Sequence, residues 1–286
     1  MIPDPPAAED AFCDARGVST PPEPWADKIQ SHLPHSARVW NYLLGGKDNY
    51  VADRQVGDTI LQMFPGIARI ARLQRYFLAR AVRFLAGEVG IRQFLDIGTG
   101  LPTVDNTHEV AQRVAPESRI VYVDNDPLVL VHAQALLTTT PQGVCDYIDA
   151  DVRDPDRILA EAARTLDLSQ PIALMMLGVL GQIPDSDQPE TIVHRLLEAA
   201  PAGSYLALSD GTDTNQALNE AIAAYNANSA SSYHLRRPDQ IARFFTGLEL
   251  IEPGLVATTQ WRPELGDAGG GDPSQVDAIC GVARKG

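Results

Sequence analysis

Cysteine is scarce in this chain: Cys13, Cys145 and Cys280 are the only three in 286 residues. They are too few and too scattered for a disulfide framework or a zinc site, and they read as free thiols of a reducing compartment. Basic charge is short as well. Lysine and arginine number 23 against 37 acidic residues, a net charge of −14. A nucleic-acid backbone calls for clustered lysine and arginine, so neither DNA nor RNA is an expected partner. No apolar run reaches the ~18 residues of a membrane span, and the amino terminus lacks the charged-then-apolar pattern of a signal peptide. The expectation is a cytoplasmic protein with no metal and no membrane partner. Length and a hydrophobic fraction of 44% fit one large α/β domain with added elements.

A third glycine is missing too, from the stretch around which the chain is organised. Phe94 to Ile97 reads as a buried strand, and it runs into Gly98-Thr99-Gly100-Leu101-Pro102-Thr103. Gly98 and Gly100 can take positive φ and bring main chain close to a ligand. Thr103 stands where a dinucleotide fold needs a small residue for close helix packing, and Pro102 stiffens the turn. With Asp96 in its floor, the loop suits a ligand bearing an ammonium group better than a pyrophosphate. S-adenosylmethionine carries one.

The rest of the chain supports that turn. Residues 1–34 are rich in proline and acid and read as a flexible arm in which Trp25 alone invites docking. Residues 35–90 read as a helical cap. Ser36 caps a short helix with Val39, Tyr42 and Leu43 on its apolar face, Gly45-Gly46 ends it, and Lys47-Asp48-Asn49-Tyr50 follows as a polar lid or a capped surface turn. Helices are expected over about 53–63 and 67–88. The second carries Arg69, Arg72, Arg75, Arg80 and Arg83. Most of these read as a solvated face, but Arg72 or Arg75 could reach the glycine loop and hold a carboxylate.

Residues 91–286 then alternate strand and helix. Strands are expected at Arg119 to Val123, Val144 to Ile148, Ile172 to Leu177 and Ser204 to Leu208, with two more at Leu248 to Ile251 and Val276 to Ala283. Asp124 ends the second strand about 20 residues beyond the glycine turn, where an acid takes ribose hydroxyls. Asp151 follows the third strand, and Asp154 is the better N-cap for the helix opened by Pro155. The glycine-rich stretch Trp261 to Pro273 reads as a loop at the sheet edge. The fold expected is a Rossmann-like, doubly wound, seven-stranded α/β sheet, mostly parallel with an antiparallel last strand, under an N-terminal helical lid.

Asp-x-Gly-x-Gly after the first strand, an acid after the second and Asp-Val after the third look like a class I S-adenosylmethionine-dependent methyltransferase. More closely, the chain resembles an actinobacterial family of S-adenosyl methyltransferases once catalogued as a domain of unknown function. The matching segments are 37–50, 80–85, Gln93 through Thr103, Val121 through Pro127 and Glu252 through Val256. The resemblance implies that Gly98, Thr99 and Gly100 approach the methionine part of S-adenosylmethionine, above Asp96. It implies Asp124 on the ribose, Asn125 and Asp151 at the adenine with the Val152 amide, and Leu177 and Gly178 under the sulfonium. Arg75 or Arg72 would take the carboxylate, and Tyr42 and Asn49 would close over the cofactor from the lid. S-adenosylhomocysteine would be the product. The chain departs from the family's habit at three positions: Gln74 replaces Asn, and Gly181 and Asp210 replace histidines.

Methyl transfer from a sulfonium needs alignment and exclusion of water more than it needs a nucleophile on the enzyme. Where the acceptor must lose a proton, His234, Tyr233 and Asp210 are the leading candidates, ahead of Asp48 and His108. Capping or surface hydrogen bonding is the competing role for each. The acidic balance favours a small-molecule acceptor, the family suggests a role in actinobacterial secondary metabolism, and the polar arm and edge strands leave room for a homodimer. The alternatives are a cofactor-binding regulator or scaffold that does not methylate, a non-methyl catalyst on the same fold, and a nicotinamide-dependent dehydrogenase, against which Thr103 and Pro102 argue.

Overall fold

Alternation along the first strand sets the layers. In β1 (Gln93–Ile97), Leu95 and Ile97 face one side of the sheet while Phe94 and Asp96 face the other. The computed structural model describes residues 29–136, 139–229, 231–264 and 277–286. Cys13, Trp25 and most of the expected glycine-rich loop lie outside them.

The other strands are β2 (Arg119–Asp124), β3 (Val144–Asp149), β4 (Ala173–Leu177), β5 (Tyr205–Gly211), β6 (Leu248–Leu250), β7 (Val256–Ala257) and β8 (Ala278–Lys285). They form one sheet in the order β3-β2-β1-β4-β5-β8-β6, and β7 pairs with β8. β1 to β5 are parallel, and β8 runs antiparallel to β5, β6 and β7. The expected architecture is present, with eight strands rather than seven. The added strand β7 is two residues long and has no periodicity to read. The order reverses between β1 and β4, which opens a crevice at the carboxyl ends of the strands.

The face carrying Leu95, Ile97, Val121 and Met176 is covered by α6 (Pro155–Ala162), α7 (Pro189–Glu198) and α9 (Pro238–Arg243). Phe94, Tyr122 and Met175 pack on the opposite face under α3 (Ile67–Arg83) and α4 (Thr107–Val114). Because Asp96 faces that second layer, its carboxylate meets α4 and lies within the field of Arg75 on α3.

A separate apolar cluster joins α1 (Ser36–Leu43), α2 (Val51–Met63) and the first half of α3 to α8 (Gln216–Asn228). The helical cap is thus completed by a helix far along the chain. α5 (Pro127–Leu136) follows β2. His35, not Ser36, is the N-cap of α1. Asp53 serves α2 from inside: it is fully buried and accepts from the Tyr50 and His35 amides.

Two expectations about the surface need correction. Arg80 is not part of a solvated face: it is buried and donates to the carbonyls of Trp261 and Thr258. Trp261, expected to open a loop, is fully buried between the edges of Phe77 and Phe84, at centroid distances of 5.4 and 5.7 Å. Among the described residues no helix is long and apolar enough to cross a membrane.

Candidate functional site

One cavity of about 280 Å³ runs from the carboxyl ends of the parallel strands up to the helical lid. Its floor is the turn after β1, where Gly98 and Gly100 take φ of 71° and 67°. A side chain at Gly98 would bring its Cβ within 2.5 Å of Val179 Cγ2, so the turn closes only on glycine. Gly100 N donates to Asp124 Oδ2 at 2.8 Å, and Asp126 N donates to Asp124 Oδ1 at 3.0 Å. Asp124 therefore ties the glycine turn to the end of β2. Each of its oxygens retains acceptor capacity for a diol. Burial pushes its carboxyl above the usual range, against the two amide bonds.

Asp96 lies beneath this turn and accepts from Thr107 Oγ1 at 2.6 Å. Burial raises its carboxyl to about 6, opposed by the Thr107 bond and by Arg75. Arg75 lines the cavity and uses Nη2 to hold the carbonyls of Val104 and Asp105, at 3.1 and 3.0 Å. Its Nε is buried without a hydrogen-bond partner. A buried charged donor of this kind fits a carboxylate such as that of a bound amino acid.

At the far rim, Asp151 is already engaged. Arg153 Nε and Nη2 approach its two oxygens at 2.9 and 2.6 Å, and the Asn125 side chain also bonds to it. These bonds, the Arg153 side chain's above all, hold Asp151 below the usual carboxylate range. Thr99, Asn125, Asp151, Val152, Leu177 and Gly178 all line the same cavity. Gly178 has φ 79°, and a Cβ there would meet Gln74 Nε2 at 2.8 Å. Gln74 itself donates to Ser209 Oγ at 2.9 Å.

The upper half of the cavity is different in kind. Val39 and Trp40 of α1, Ile70 of α3, Leu218 and Ile222 of α8, and Leu235 form an apolar wall. Tyr233 interrupts it, and its hydroxyl donates to Asp210 Oδ1. Asp210 is buried behind that ring within β5, with Arg236 Nη1 3.7 Å from Oδ2.

Four expected site residues lie elsewhere. Arg72 is exposed, on the outward side of α3, whereas Arg75 is turned inward. Tyr42 points away from the cavity and donates to Asp58. Asn49 pins the lid turn, donating to Asn41 Oδ1 and the Gly46 carbonyl at 2.9 and 3.0 Å. His234 lines a neighbouring groove, its Nε2 3.0 Å from Ser232 Oγ, and does not face the main cavity. Asp210 reaches the cavity only through Tyr233.

Sequence reasoning missed a lid contact. His35 Nδ1 lies 2.9 Å from Asp126 Oδ2, and Arg38 sits between Asp126 and Asp53, with Nε 3.8 and 3.3 Å from them. These groups fasten α1 beside Asp124. No spacing signal could have linked His35 to Asp126.

A family model described as S-adenosyl methyltransferase matches residues 22–286. The chain is 45% identical to a DUF574 family protein of known structure from Streptomyces avermitilis, with a TM-score of 0.87 over 90% of this chain and all of that one. It is 42% identical to a proposed methyltransferase from Thermobifida fusca, with a TM-score of 0.82 over 92% of this chain and 98% of the other. A methyltransferase structure from Anabaena variabilis, 12% identical with a TM-score of 0.50 over 90% and 98% of the two chains, shares the fold alone. No curated protein matches. The glycine turn locked to Asp124 thus stands in a chain that belongs to the S-adenosyl methyltransferase family and is an S-adenosylmethionine-dependent methyltransferase.

Proposed function

We propose that this chain transfers the methyl group to a small, largely apolar acceptor held under the helical lid, in a cytoplasmic setting. The observation that carries this reading is one cavity in which Asp96, Asp124 and Asp151 gather at the strand ends while Val39, Ile70, Leu218 and Ile222 line the helical side. Bound S-adenosylmethionine supplies an activated methyl on a sulfonium. Asp124 would accept from the ribose hydroxyls while keeping its two amide bonds. Arg75 Nε would pair with the carboxylate, and Asp96, below the turn, would favour the ammonium. Asp151 would meet the adenine edge only by sharing its carboxylate with Arg153. Leu177 and Gly178 would line the path between donor and acceptor. Val39, Ile70, Leu218 and Ile222 would exclude water from the acceptor and hold it in line with the methyl.

Calorimetric titration with S-adenosylmethionine and S-adenosylhomocysteine, repeated on Asp124→Ala, tests the cofactor site. Binding by the wild type that the variant loses supports it. Unchanged binding in Asp124→Ala removes Asp124 from the ribose. Release of S-adenosylhomocysteine over a panel of small acceptors then separates a methylating enzyme from a protein that only binds the cofactor.

A further inference from the structure

Asp210 on β5 belongs with Tyr233 and Arg236 to a buried group of polar side chains, of which Tyr233 lines the cavity. Tyr233 occupies a notch between two glycines. A Cβ on Gly181 would come within 2.2 Å of Tyr233 Cζ, and one on Gly211 within 3.6 Å of its hydroxyl. The hydroxyl donates to Asp210 Oδ1 and accepts from the Gly211 amide at 3.5 Å. A phenolic oxygen has two acceptor sites, so one remains for a group in the cavity. Asp210 Oδ2 is buried and has no hydrogen-bond partner. Arg236, which faces it at 3.7 Å, is fixed by the carbonyls of Leu180 and Ile183 at 2.8 and 2.6 Å and by Asp185. The His234 ring turns away to Ser232.

We propose that Tyr233 accepts the proton of the acceptor's hydroxyl while passing its own to Asp210, and that this hydroxyl belongs to a phenol or an enol. The inference rests on the methyltransferase reading above. In the step, the acceptor O–H bond breaks as its oxygen bonds to the methyl carbon, and the methyl–sulfur bond breaks with its electron pair left on sulfur. The acceptor proton goes to the Tyr233 oxygen, the Tyr233 proton goes to Asp210, and a neutral thioether, a methyl ether and a protonated Asp210 result. Atoms and charge balance without another reactant, and solvent later takes the proton from Asp210.

The acceptor class follows from the geometry of this relay, a single phenolic hydroxyl bonded to a buried carboxylate beside Val39, Ile70, Leu218 and Ile222, and the strength of the base agrees with it. Burial raises Asp210 to about 6, with the Tyr233 bond and Arg236 opposing. A phenol releases its proton near ~10, within reach of such a base in the transition state. An aliphatic hydroxyl, near water at ~16, is not. A neutral amine needs no base before it attacks, and its methylated cation would form against the apolar wall.

The test uses the full chain saturated with S-adenosylhomocysteine and titrated with 2-naphthol or naphthalene, alongside Tyr233→Phe, Asp210→Asn and Gly181→Ala. The wild type should bind 2-naphthol about tenfold more tightly than naphthalene, the value of one hydrogen bond to a well-placed group. Tyr233→Phe should lose that preference while melting within a few degrees of the wild type. Gly181→Ala, which expels the ring, should lose it as well, and the double variant should add nothing further. With S-adenosylmethionine, methylation of 2-naphthol should fall about a hundredfold in Tyr233→Phe. At saturating S-adenosylmethionine its rate should rise with pH through about 6 in the wild type and lose that rise in Asp210→Asn. Equal affinity for the two probes, unchanged binding in Tyr233→Phe, or faster methylation of 2-naphthylamine than of 2-naphthol overturns the inference. No binding of S-adenosylhomocysteine at all overturns the cofactor reading with it.

Discussion

The floor and the roof of the cavity are built on opposite plans. The floor is made at the ends of two neighbouring parallel strands, where Gly100 N of the turn after β1 donates to Asp124 at the end of β2 and Asp96 beneath accepts from Thr107. The roof is made of side chains from α1, α3 and α8, which meet only after the chain has folded. The floor is fixed by hydrogen bonds, whereas the roof packs through apolar side chains and is tied down at α1 by His35 and Arg38. Such a division lets one cofactor geometry persist while the acceptor wall varies, since apolar packing tolerates exchange better than a buried hydrogen-bond network does.

Asp124→Ala should separate floor from roof most strongly. It removes the proposed ribose contact and two loop bonds together, so S-adenosylmethionine affinity should fall by about a hundredfold or more in calorimetry. Gly98→Ala should come next. Its positive φ and the 2.5 Å approach to Val179 predict a loss of about 1–3 kcal/mol in stability, read as a lower melting temperature, together with weaker cofactor binding. Arg75→Ala should weaken S-adenosylmethionine about tenfold, whereas Arg72→Ala should leave it unchanged. An equal effect at both positions would mean that the inward turn of Arg75 has no bearing on binding.

The acid dependence of binding probes the same floor. A cation favours ionised Asp96, whose carboxyl sits at about 6, so protonation must be reversed for the ligand to bind. Affinity should therefore be at its plateau above about 6 and fall by up to about tenfold per pH unit below that value. Asp96→Asn should flatten the slope. Smallest of all should be the cofactor response to Ile222→Ala in the roof: affinity within about twofold of wild type, with the effect confined to the acceptor. A large change in S-adenosylmethionine binding there would show that roof and floor are not separable.

How much of the site could be read in advance follows from the same division. Asp96, Gly98, Gly100, Asp124 and Asp151 were legible because a strand end followed by a turn is a local arrangement with its own spacing. The lid residues were not. Tyr42 and Asn49 have the right chemistry in the right segment, but helix phase turns Tyr42 toward Asp58, and Asn49 is consumed by its own turn. Adjacent residues also differ: Tyr233 lines both the cavity and the neighbouring groove, whereas His234 lines the groove alone. Arg80 looked like one more surface arginine until Trp261, 181 residues away, supplied its carbonyl.

The doubly wound sheet, the glycine turn and the acid that closes it are written locally in the chain, because strand periodicity and turn chemistry act over a few residues. Which arginine faces inward, that α8 completes the lid and that Asp210 lies behind the Tyr233 ring were settled by packing between distant segments. Those outcomes depend on side chains from distant segments competing for the same buried space, and neither spacing nor composition records which of them prevails.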